Sequence, residues 1–131
     1  MSDPIKERLD SLRARLILCS VVASFHYHQE DMVGDVGYFR VRCTLIDGSE
    51  LQLTERCRAI GDALAIEKYS FHWQRKDGTP ICRRDNAPHH RDLVTFPHHL
   101  HEGGTETAQA HAPVDAFAVL SEIEQRLSVD A

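Results

Sequence analysis

The amino-acid sequence predicts an α+β fold: a five-stranded antiparallel meander with N- and C-terminal helices packed on one face. Three observations carry this expectation. Apolar residues recur at helical spacing near the two ends, they alternate with polar residues through the middle, and Asp-Gly pairs separate the alternating runs. Tight turns of that kind join antiparallel strands, whereas parallel strands need long crossovers.

At the N-terminus, Asp3 and Pro4 read as helix cap and first helical residue, and Ile5, Leu9, Leu12 and Leu16 form one apolar stripe. From Arg15 to Tyr27 the period shortens to two, through Ile17, Cys19, Val21, Ala23, Phe25 and Tyr27, which predicts a long first strand. A loop through Glu30, Asp31, Gly34 and Gly37 leads to a second strand, Tyr38 to Ile46. Asp47-Gly48-Ser49 turns it into a third, Glu50 to Ile60. The fourth strand, Leu64 to Gln74, meets the fifth, Pro80 to Asn86, across Lys76-Asp77-Gly78-Thr79. Pro88 and Pro97 bracket an irregular segment, because proline has no N–H for a central strand's ladder. After a loop from Glu102 to Thr105, Pro113 opens a last helix with Val114, Phe117, Leu120, Ile123 and Leu127 on its apolar stripe.

A chain of 131 residues, 42% apolar and 27% charged, suits a single domain over residues 1–131 with its own core. The longest apolar run, Leu16 to Phe25, is broken by Ser20 and Ser24 and is too short to span a membrane. The N-terminus lacks the basic start and apolar stretch of a secretory signal, so the expected compartment is the cytoplasm. Cys19, Cys43, Cys57 and Cys82 form no CxxC pair and read as small apolar fillers, not zinc ligands. The net charge of −5 is uneven. Val36 to His101 holds ten lysines and arginines against eight acids, and the rest holds five against twelve. RNA therefore stays open as a partner.

Strand parity sorts the side chains. With Phe39, Val41, Cys43 and Leu45 inward, Tyr38, Arg40, Arg42 and Thr44 point away. With Leu51, Leu53 and Cys57 inward, Gln52, Thr54, Arg56 and Arg58 point away, and Ser70, His72 and Gln74 oppose Tyr69, Phe71 and Trp73. This face is either the solvated side of a half-buried sheet or a phosphate-binding surface in which Arg40, Arg42, Arg56 and Arg58 hold a nucleic-acid backbone. Glu55 falls on the apolar parity, which requires an arginine partner or a functional reason.

Six of the nine histidines lie between His72 and His101. Cleaving RNA at neutral pH needs a base for the ribose 2′-hydroxyl, an acid for the leaving oxygen and a cation on the phosphate, all within reach of histidine and arginine. His89, His98, His99 and His101 are the acid and base candidates, with Asp85 orienting a histidine. Arg84 is expected on the phosphate, and His72 and Asn86 are further substrate contacts. No cofactor is expected. A metal-dependent hydrolase is the alternative chemistry, since His99 and His101 share a face of an extended segment that Asp85 or His89 completes. Trp73, Phe71 and Phe96 fit core or lid packing better than base stacking, and Asp85-Asn86 also suits a simple capped turn. His26, His28 and His111 receive no role.

The strings Tyr69-x-x-His72-Trp73-Gln74, Arg84-Asp85-Asn86-Ala87-Pro88-His89-His90 and Phe96-Pro97-His98-His99-x-His101-x-Gly103-Gly104 resemble the TumE-type proteins of bacterial toxin–antitoxin modules. Cys82 and Arg83 depart from the bulkier residues typical there. The resemblance implies a growth-inhibiting toxin, encoded beside a DNA-binding antitoxin, that attacks RNA or translation. A non-catalytic protein that contacts an antitoxin or the ribosome is the rival reading.

Overall fold

A computed structural model describes residues 3–105 and 107–129. The first helix, α1, spans Pro4–Leu18. The Asp3 carboxylate accepts from the N–H groups of Ile5 (3.1 Å) and Lys6 (3.2 Å), donors that a first turn otherwise leaves unpaired. Ile5, Leu9, Leu12 and Leu16 are buried, as their spacing predicts. The helix runs past Arg15, where a strand was expected, so Ile17 and Leu18 are exposed on its last turn. Alternation across Ile17, Cys19 and Val21 arises there from a helix end followed by a turn, not from pleating.

Among the described residues seven strands, not five, form one antiparallel sheet in chain order. They are β1 Val22–Val33, β2 Val36–Leu45, β3 Glu50–Ile60, β4 Ala63–Gln74, β5 Pro80–Asp85, β6 His99–Glu102 and β7 Gln109–Ala110. The last two escaped sequence reading because His-Leu-His-Glu holds one apolar residue and β7 is two residues long, too little to show a period. The expected loop before β2 is only the turn at Gly34 and Asp35, so pairing continues to Val33 opposite Val36. At the Asp-Gly turns, Asp47 and Asp77 each accept from the backbone N–H two residues on, and Gly48 and Gly78 supply φ values of +86° and +91°.

The second helix, α2, spans Ala116–Val129. It begins later than Pro113 because Asp115 caps it, its carboxylate accepting from the Ala118 N–H at 2.9 Å. Both helices lie on the sheet face that carries Val41, Leu45, Leu51, Leu53, Phe71 and Trp73, so the parity argument holds. Phe71 and Trp73 are core residues, and the Trp73 indole donates to Ser49 at 3.0 Å. Glu55, 1% exposed, ties the layers together. Arg8 of α1 donates to it from Nη2 at 2.8 and 2.9 Å, and the Ala116 N–H at the start of α2 donates at 2.7 Å. Burial pushes this carboxyl upward, and the Arg8 charge pulls against it. No helix among the described residues is long and apolar enough to cross a membrane.

Candidate functional site

Residues directly opposite one another on paired strands project to the same side. Register therefore sets two rows across the face that the helices leave uncovered. One reads Arg40, Thr54, Ser70, Asp85 and His99, and the next reads Arg42, Gln52, His72, Arg83 and His101. Over the first row lies a groove of about 350 Å³ lined by Tyr38, Arg40, Gln52, Thr54, Arg56, Lys68 and Ser70. Three of those side chains are cationic. With its amide oxygen turned to Arg40, Gln52 accepts from the guanidinium at 2.8 and 3.1 Å and steadies it.

At the far end of the rows stands a histidine cluster. His99 and His101 are 2% and 4% exposed. The Asp85 carboxylate lies 2.9 Å from His99 Nε2, and the Pro97 carbonyl lies 2.9 Å from His99 Nδ1. His101 Nδ1 meets the Thr105 carbonyl at 3.1 Å. The third ring is that of His90, whose φ of +57° is unusual for a residue with a side chain. Its centroid lies 4.9 Å from His99 and 5.5 Å from His101, and those two lie 5.2 Å apart. One ring nitrogen from each of the three falls within 4.8 Å of the others. Burial lowers the pKa of His101 below the ordinary histidine value, and the nearby Arg83 charge adds to it. Arg83 Nε sits 3.5 Å from the other Asp85 oxygen, with its side chain half exposed.

A family model described as Toxin TumE matches residues 12–128. The chain belongs to the TumE toxin family. The matched span takes in all seven strands, the groove and the histidine cluster. No curated protein and no solved structure matches the chain.

In this TumE chain the remaining sequence-named residues fall in different places. His89 is exposed beside the cluster, its ring 6.4 Å from that of His90, so the adjacent histidine is the one that turns inward. Nothing in His89-His90 foretells which, because a left-handed backbone at one of them leaves no mark in the sequence. His98 faces the helix side, stacked on Tyr69 with its Nδ1 2.8 Å from the Tyr69 hydroxyl. Burial lowers its pKa, as it does that of His72. Arg84 pairs with Leu100 and Phe71 on the helix side, is 8% exposed and binds Glu122 at 2.6 Å. Asn86 fastens the loop to β4, accepting from the Tyr69 N–H at 2.9 Å and donating to the Glu67 carbonyl at 3.0 Å. The expected turn capping is present too, with Asp85 accepting from the Ala87 N–H at 3.1 Å. Arg58 is held by Glu67 at 2.6 Å and Asp35 at 3.1 Å, and Arg42 lies 3.7 Å from Glu50. Arg40 and Arg56 are the exposed arginines that line the groove.

Proposed function

We propose that this toxin acts on RNA in the cytoplasm, holding the phosphate backbone in the Arg40, Arg56 and Lys68 groove and cleaving it at the cluster of Asp85, His90, His99 and His101. The observation that carries this reading is continuity. Ser70 lines the groove and pairs in register with Asp85, which contacts His99. Cationic side chains suit phosphate, and the Tyr38 ring in the same groove suits a stacked base.

In the cleavage step, the ribose 2′-oxygen attacks phosphorus and the bond to the 5′-oxygen breaks. One group takes the 2′-hydroxyl proton and another returns a proton to the leaving oxygen. Imidazoles and a carboxylate are groups of that kind, and Arg83 beside them is a cation for the phosphate. Membership of a toxin family implies an antitoxin partner, and in this reading that partner binds DNA and silences the toxin.

Purified toxin incubated with cellular RNA tests the reading. His99→Ala, His101→Ala and Asp85→Asn, each checked for folding by circular dichroism, should lose about 10² to 10⁴ in cleavage rate, and growth inhibition should fall with it. His28→Ala, on the exposed part of β1, should keep both. Wild-type protein that cleaves no RNA, or a folded His101→Ala variant that cleaves it normally, would leave the face as a non-catalytic binding surface.

A further inference from the structure

We infer that His90, His99 and His101 form a binding site for one divalent transition-metal ion of the zinc class, with Asp85 as the carboxylate beside it. The inference rests on the proposed RNA chemistry only for its functional consequence, in which a bound ion takes over the part given there to the imidazoles. It departs from the metal-independent mechanism expected from the sequence.

Four observations support it. The three imidazoles converge from two elements, the irregular segment and β6, with one nitrogen of each within 4.8 Å of the others. Nitrogens bound to one zinc ion at about 2.0–2.1 Å stand about 3.3 Å apart in a tetrahedron, so a short inward movement of the rings would close the set. The Nδ1 atoms of His99 and His101 each meet a backbone carbonyl, at 2.9 and 3.1 Å. Such contacts orient a metal-binding imidazole; they leave Nε2 of His101 as its ligating atom, while Nε2 of His99 faces the Asp85 carboxylate.

The Asp85 oxygen lies 2.9 Å from His99 Nε2, close to the spacing of two neighbouring ligands on one ion. His90 holds a left-handed backbone that disfavours any residue with a side chain, a conformation retained where it aims a group. Three imidazoles with one carboxylate and no thiolate suit zinc, nickel or cobalt better than magnesium or calcium. An ion there would supply bound hydroxide near the rows that lead from the groove, beside the half-exposed Arg83 cation.

The full-length protein, stripped with a chelator, is titrated with zinc by calorimetry and with cobalt by visible absorption. The expected result is one equivalent bound and cobalt bands of low coordination number. His90→Ala should weaken binding by more than about 100-fold and Asp85→Asn by about 10- to 100-fold. The double variant His26→Ala, His28→Ala removes the exposed pair on β1, with centroids 5.0 Å apart, and should bind as the wild type does. A wild-type protein that gives no cobalt spectrum, or uptake unchanged in His90→Ala, overturns the site. Because His90 lies outside the strands, that variant decides the matter even if His101→Ala fails to fold. Metal uptake without RNA cleavage would overturn the RNA reading alone, and chelator-insensitive cleavage without uptake would overturn the metal site alone.

Discussion

Glu55 shows how a single residue can be read from parity and then explained by packing. Its position among inward-facing side chains of β3 required a partner, and Arg8 of α1 provides it by donating from Nε at 3.2 Å and from Nη2 at 2.8 and 2.9 Å. Glu55→Ala would leave the Ala116 N–H without its acceptor and Arg8, whose side chain is 13% exposed, with only its longer contact to Asp115 at 3.4 Å. Removing one partner of a buried ion pair costs about 3–5 kcal/mol, so urea unfolding should show a loss of that size. A loss under about 1 kcal/mol would mean that solvent replaces the carboxylate, contrary to its burial. At the same scale, sequence reading named Asp85, His99 and His101, which the structure brings together with His90, and His89, which it leaves exposed beside them. It also named Arg84, whose cross-strand partners Phe71 and Leu100 put it under α2, bound to Glu122. Which way a side chain faces on a short polar strand depends on register, and register becomes visible only once the pairing is known.

At the scale of elements, the strands flanked by Asp-Gly turns were legible because alternation and turn chemistry agree there. β3 has the bounds its sequence suggests, Glu50–Ile60. The errors fall where local signals are weak or conflict: the last turn of α1, the start of α2 and the short β6 and β7. The docking of α1 also depends on a feature that periodicity does not reveal, the close approach at Gly37. A Cβ there would stand 2.6 Å from Ile5 Cγ2 and 3.1 Å from Cys57 Sγ. Gly37→Ala should therefore push α1 off the sheet and cost about 1–3 kcal/mol in denaturant unfolding. Ile5→Ala, which removes the clashing Cγ2, should therefore cost less in the Gly37→Ala chain than in the wild type, a coupling that a double-mutant cycle measures. Additive effects would mean that the helix does not meet the sheet at this point.

For the whole molecule, the net charge of −5 conceals an ordered division. The helices cover one face of the sheet with apolar contacts, and the other face carries arginines, a groove and a histidine cluster aligned by register. The basic centre noted in the sequence is thus a surface, although Arg58 is engaged by acids and Arg84 lies on the opposite side. The central claim is that the uncovered face binds the RNA backbone, and it is tested most directly by the affinity for single-stranded RNA as a function of salt. The account predicts that affinity falls steeply as salt rises, and that Arg40→Ala and Arg56→Ala each lower the slope of log affinity against log salt by about 1. Affinity that does not change with salt, or slopes left intact in both variants, would contradict it.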